Sequence, residues 1–208
     1  MRESDAYRIS TVEQLRARIG EPHSLVPHKL LKSLDQASID FIRRSPFLLL
    51  ATADAVGNLD VSPKGDGPGF VTVEDTTTLL IPDRKGNKLI FGLQNILETS
   101  HVGLIFLIPG TEETLRVNGT AELTADPAIL ERLSARGQPA LVAIRVTVQE
   151  CFFHCAKAFK RSQLWKPETW PQRQPISFGK LLASKIGADE ATAQQIDRFI
   201  EEDYKNNL

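Results

Sequence analysis

Cysteine is scarce in this chain. Only Cys151 and Cys155 occur among 208 residues, and two thiols close together make no disulfide framework, which points to a reducing compartment. No apolar run approaches the roughly 20 residues needed to span a bilayer. The longest, Val102 to Pro109, suits a buried strand. Met1 to Ser10 is charged and polar without an apolar core, so no signal peptide is expected there. An excess of one charge is also missing: 25 Lys+Arg face 26 Asp+Glu, for a net charge of −1. Without a global basic field, nucleic-acid binding as the main role is disfavoured. Internal repeats and low-complexity segments are absent. The chain reads as cytoplasmic, with no membrane partner.

What remains is an ordinary globular composition, 41% hydrophobic and 25% charged. The length fits one domain with added helices and can bury a sizeable core. Thr11 to Gly20 and Asp35 to Arg44 read as helices capped by Thr11 and Asp35. Strands are expected at Phe47 to Ala53, Leu59 to Ser62, Phe70 to Val73, Thr77 to Ile81, His101 to Ile108, Thr114 to Leu123 and Ala140 to Phe153. Val142, Ile144, Val146 and Val148 alternate with Ala143, Arg145 and Thr147, the period of a half-buried antiparallel strand. Phe47 to Ala53 is apolar enough to be covered on both faces. Pro63 to Gly69 reads as a loop, and Lys88 to Leu97, Asp126 to Ala135, Phe178 to Ile186 and Ala188 to Tyr204 as helices. Hairpin-linked strands with few crossover helices imply a mainly β, α+β protein with flanking helices, whose antiparallel sheet closes into a barrel.

Two segments carry the chemistry. Pro82-Asp83-Arg84-Lys85-Gly86-Asn87-Lys88 lies between a strand and a helix. A helix start offers unsatisfied N–H groups and the positive end of its dipole, and Arg84, Lys85 and Lys88 add charge, a recipe for holding phosphate. Asp60-Val61-Ser62-Pro63-Lys64-Gly65-Asp66 has similar chemistry one hairpin upstream. The plain alternatives are a solvated basic loop and a surface turn. Cys151, His154 and Cys155 invite a zinc reading, but a fourth ligand at standard spacing is missing, so no metal is expected. His154 is a candidate for proton transfer or a satisfied structural histidine.

The order of these pieces resembles the pyridoxamine 5′-phosphate oxidase-like family of FMN-binding split barrels. The resemblance covers Ala37 to Phe153. Lys88 and Asn95 keep that family's spacing from a loop lysine to a helix asparagine, and Leu115-Arg116-Val117-Asn118-Gly119-Thr120-Ala121-Glu122 is similar to its apolar-x-Gly-x-Ala strand. The family's Ser-Arg pair before the lysine is replaced by Gly86-Asn87, and the terminal signature of the vitamin B6 oxidases is not evident. The resemblance implies an antiparallel split β-barrel over 35–155, preceded by a helical extension (1–34) and followed by a basic, aromatic segment and helices packed on the barrel (156–208). It implies an FMN-dependent oxidoreductase working on a small molecule, as a homodimer with cofactor at the interface. The alternatives are a flavin- or haem-binding storage protein, or a deazaflavin enzyme. Cofactor contacts are expected from Val61, Ser62, Pro63 and Lys64, from Asp83, Arg84, Lys85, Asn87 and Lys88, from Asn95, from Arg116, and from Arg161, Ser162 and Trp165 in the tail.

Overall fold

The computed structural model describes residues 7–206. The reading of Met1 to Ser10 therefore falls mostly on residues 1–6, outside the described residues. Helix α1 (Val12–Ile19) is capped by Thr11, whose hydroxyl accepts from the Gln14 N–H, and ends at Gly20 with φ 81°. A 3-10 turn (Val26–Lys29) leads to Leu31, which exchanges two backbone hydrogen bonds with Cys151. The Asp35 carboxylate caps α2 (Gln36–Arg44) by accepting from Ser38 N–H at 2.8 Å. Helix α2 buries Phe41 and Ile42, as its apolar spacing requires.

Seven strands follow: β1 (Phe47–Ala53), β2 (Leu59–Gly65), β3 (Thr72–Val73), β4 (Thr78–Asp83), β5 (His101–Leu107), β6 (Thr114–Thr124) and β7 (Val142–His154). They form one sheet in the order β2-β1-β5-β6-β7-β4-β3, with every neighbouring pair antiparallel. Alternation fills the core: Leu48 and Leu50 from β1, Leu104 and Phe106 from β5, and Leu115 and Val117 from β6 are fully buried. Each such side chain contributes about 1.5–3 kcal/mol relative to exposure. Strand β1 departs from the expected two-sided burial. Its inward residues are sealed, while Leu49, Ala51 and Ala53 are only half-buried. Strand β4 is packed on both faces. Leu79 and Ile81 join the main core, and Leu80 joins a second cluster with Ile129, Leu133, Ala140 and Ala143 beneath α4 (Pro127–Arg132).

The sheet curls until its ends meet. No ladder joins β2 to β4; instead Lys64 pairs with Asp83, and the Arg84 Nε–H donates to Asp66 at 3.1 Å. Charge closes the barrel along this seam, and a split remains. At Gly119 the β6–β7 ladder shifts register, and a Cβ there would lie 2.0 Å from the Thr147 carbonyl oxygen, so only glycine fits.

Several boundaries differ from the sequence reading. Strand β2 runs through Pro63 to Gly65, where a loop was expected, because β2 is an edge strand and part of its N–H set faces away from any ladder. Strand β3 begins at Thr72, with Phe70 held in a turn by its N–H on the Gly67 carbonyl. Helix α3 is Phe91–Thr99 and does not start at Lys88. Lys88 takes φ 60°, and the Asn87 side chain accepts from the Leu89 N–H, a local bond that competes with helix. Helix α4 stops at Arg132 because Arg136 and Gly137 turn the chain at positive φ. The tail forms α5 (Lys157–Ser162), a 3-10 turn (Pro167–Thr169), α6 (Phe178–Ile186) and α7 (Glu190–Asn206). Helices α6 and α7 pack on each other, with Asp197 accepting from Ser177 Oγ and Gly179 N–H. Among the described residues, no helix is long and apolar enough to cross a membrane.

Candidate functional site

The split leaves a cavity of about 1020 Å³ between β2, the end of β4, the loop Arg84–Ile90 and the first turn of α3. Its walls follow from local rules. Alternation along β2 turns Asp60, Ser62 and Lys64 the same way, half-buried, while Leu59, Val61, Pro63 and Gly65 are exposed. Gly92 lets α3 approach β2 closely: a Cβ there would sit 3.1 Å from Asp60 Oδ2. Leu50, Phe70 and Leu141 supply apolar surface.

Helix α3 has no side-chain cap, and its residues Phe91, Gly92 and Leu93 border the cavity. The positive end of a nine-residue helix therefore faces this space. Lys64, Arg84, Lys85 and Lys88 stand on the wall with Asp60, Asp83 and Asp203. Two of the cations are already engaged, Lys64 by Asp83 and Arg84 by Asp66. Asp66 also holds Arg136 at 3.5 Å. Arg84 Nη1, however, is buried with no hydrogen-bond acceptor among the described residues. A guanidinium nitrogen in that state is unfavourable by about 1–3 kcal/mol until an acceptor arrives. The arrangement can receive an anionic group at the α3 end and a flat apolar body against Leu50 and Phe70.

Of the residues singled out in the sequence, Ser62, Pro63, Lys64, Asp83, Arg84, Lys85, Asn87 and Lys88 come together on this wall. Others lie elsewhere. Val61 points outward, 59% exposed. Asn95 is buried between α3 and β1, its Nδ2 donating to Thr52 Oγ1 at 3.0 Å. Arg116 lies over the Phe152 ring at 5.4 Å. Arg161 and Ser162 sit on α5, where the Ser162 hydroxyl donates to the Phe159 carbonyl. Trp165 stacks on Phe159 and donates its indole N–H to the Thr111 carbonyl at 2.8 Å. His154 is half-buried, and its pKa is lowered by burial first and then by the Arg116 and Lys29 charges. The two cysteines have different surroundings: Cys151 is buried with Sγ on the Ser33 carbonyl, and Cys155 is exposed.

Sequence reasoning gave no role to Asp66, Asp60 or Arg136. The alternation Lys64-x-Asp66 against Asp83-Arg84 was a usable signal, since the two segments are charge-complementary. Arg136, far along the chain, left no such trace.

A family model described as pyridoxamine 5′-phosphate oxidase matches residues 34–155. Among solved structures, HupZ from Group A Streptococcus is 19% identical, aligning 58% of this chain with 93% of that one at a TM-score of 0.47. A candidate pyridoxamine 5′-phosphate oxidase from Lactobacillus delbrueckii is 25% identical, aligning 59% with 95% at a TM-score of 0.47. An FMN-binding protein from Syntrophomonas wolfei is 9% identical, aligning 56% with 88% at a TM-score of 0.42. No curated protein matches the chain significantly. The family match runs from the residue before the α2 cap to just past the end of β7, so it takes in the whole sheet and both sides of the seam, and the chain belongs to the pyridoxamine 5′-phosphate oxidase family.

Proposed function

We propose that this protein binds FMN in the seam cavity and is an oxidoreductase acting on a small molecule. The observation that carries the reading is Arg84, which lines a cavity that the uncapped α3 start also borders and whose buried Nη1 has no acceptor among the described residues. A phosphate monoester meets both needs. Arg84, Lys85 and Lys88 would hold it together with the first turn of α3, combining a planar fork, two point charges and the helix dipole. The cavity volume is at the upper end of the range for small-molecule sites. When bound, the flavin supplies two-electron redox chemistry at its N5.

The chain's own groups do the rest. Leu50, Phe70 and Leu141 exclude water from the flat part of the ligand. Lys64, fixed by Asp83, sets a positive charge along β2, and Ser62 offers a hydroxyl beside it. Positive charge near the ring favours a reduced, anionic ligand. The same reading makes the chain a homodimer with the cofactor at the interface. Support comes from the outer sheet face, where Pro63, Leu49 and Ile105 form one register row and Val61, Ala51 and Gly103 the next. Leu59 and Val61, 81% and 59% exposed, extend this apolar surface to the sheet edge.

Titration of the full chain with FMN, followed by flavin fluorescence, tests the binding. Saturable quenching is expected, and the yellow complex should bleach with dithionite and recover its colour in air. A protein that stays colourless and leaves FMN fluorescence unchanged would refute the reading.

A further inference from the structure

The three cations of the loop after β4 are held differently. Lys85 and Lys88 are exposed and form no ion pair among the described residues. Arg84 is oriented. Its Nε–H donates to Asp66 Oδ2 at 3.1 Å. Nε carries a single proton in the rigid guanidinium fork, so this bond fixes the plane in which the other donors lie.

Asp66 is itself built in. Its N–H donates to the Pro46 carbonyl at 3.1 Å, just past the Phe47–Gly65 pair that ends the β1–β2 ladder. Its Oδ1 accepts from the Gly67 N–H at 2.8 Å and faces Arg136 Nη2 at 3.5 Å. The Asp66 side chain is only 10% exposed. Arg84 lines the seam cavity and Asp66 does not. A carboxylate behind the wall is thus fixed by its own main chain, and it fixes a guanidinium on the wall. Two guanidinium groups, Arg84 and Arg136, share this one carboxylate, which leaves one positive charge over. Asp66 therefore orients Arg84 without cancelling the field that an anion meets.

The structure assigns Asp66 the part of a positioning residue for Arg84, a role that rests on the reading of the cavity as a phosphate site. A long arginine stem loses rotamer freedom when it grips a ligand. With Nε already on Asp66, part of that loss occurs before the ligand arrives, and the Nη donors meet the phosphate in a set plane. Asp66 touches no ligand atom and acts through Arg84 alone.

A double-mutant cycle on the full chain tests this, with FMN and riboflavin titrated by flavin fluorescence. Asp66→Ala should weaken FMN binding about five- to thirtyfold and riboflavin binding less than about twofold. In the Arg84→Ala background, Asp66→Ala should change FMN affinity by less than about twofold. In the Lys85→Ala background it should keep its full effect. Asp66→Asn, which retains an acceptor for Nε–H, should recover part of the loss, and it replaces Asp66→Ala in the cycle if that variant does not fold. A second readout needs no ligand. The Arg84 Nε–H signal in a 15N-edited NMR spectrum, assigned by its loss in Arg84→Ala, should exchange with water at least about tenfold faster in Asp66→Ala. Three results would overturn the role: equal losses for FMN and riboflavin, an undiminished effect of Asp66→Ala without Arg84, or an Nε–H exchange rate that does not change. A parent chain that binds neither flavin would instead remove the phosphate reading itself, and this role with it.

Discussion

Replacing Arg84 by alanine separates a ligand-binding role from a structural one. Among the described residues, Arg84 makes one ion pair, Nε to Asp66 at 3.1 Å, with its side chain 27% exposed. A partly exposed pair of this kind contributes about 0–1 kcal/mol, and Asp66 keeps Arg136 at 3.5 Å. The substitution also removes the buried, unmet Nη1 donor, which offsets about 1–3 kcal/mol. Unfolding by urea should therefore show a midpoint close to the parent's, or slightly above it. Binding is a different matter. A charge-assisted hydrogen bond to phosphate is worth about 1.5–3 kcal/mol. At 1.4 kcal/mol per decade, FMN affinity should fall about ten- to one-hundred-fold. Riboflavin, which lacks the phosphate, should lose less than about twofold. Arg84→Lys should recover part of the loss, since it restores charge without the fork. Fluorescence titrations with both ligands, run beside the urea melts, provide the measurement. Unchanged FMN affinity would refute the reasoning, as would an equal loss for riboflavin.

Three further expectations concern other parts of the molecule. His154 has a folded-state pKa below the ordinary histidine value of 6.5, so below that pH the unfolded chain binds the proton more readily. Stability should fall as pH drops through 6.5 and level off below the folded-state pKa, and His154→Gln should flatten this part of a urea-midpoint profile between about pH 7.5 and 5. Gly119→Ala drives a Cβ to 2.0 Å from the Thr147 carbonyl oxygen; the backbone must shift, and a loss of about 1–3 kcal/mol or more is expected in the same melts. In the native protein, a thiol reagent should modify Cys155 rapidly and Cys151 only on unfolding, because Cys155 is exposed while burial shields Cys151 and raises its pKa. Two equally fast thiols in a stopped-flow assay would contradict the packing of β7 against Leu31 and Ser33.

Local chemistry was enough to place most of the elements. Thr11, Asp35 and Asp126 cap their helices as their side chains demand, and the alternation along Val142 to Val148 marks β7. These signals act over a few residues, where hydrogen bonding and burial period are written directly in the chain. The basic loop after β4 was legible for the same reason. Its neighbour Pro63 was misread because proline's cost depends on whether a strand is central or at an edge, and edge position is a property of the whole sheet. The start of α3 slipped to Phe91 because one side-chain bond, Asn87 to the Leu89 N–H, outcompeted helix formation at Lys88.

Sequence alone determined that this is a strand-rich chain with two charged segments flanking its early hairpins. Only the tertiary structure decided that those segments meet, Lys64 on Asp83 and Arg84 on Asp66, and that a cavity opens where they close the sheet. It also drew Lys29, Arg116 and His154 to the Phe152 ring from three separate parts of the chain. The physical reason is common to both. Long-range pairing of charges and rings is set by how a curled sheet brings its ends and faces together, and no local period encodes that curl.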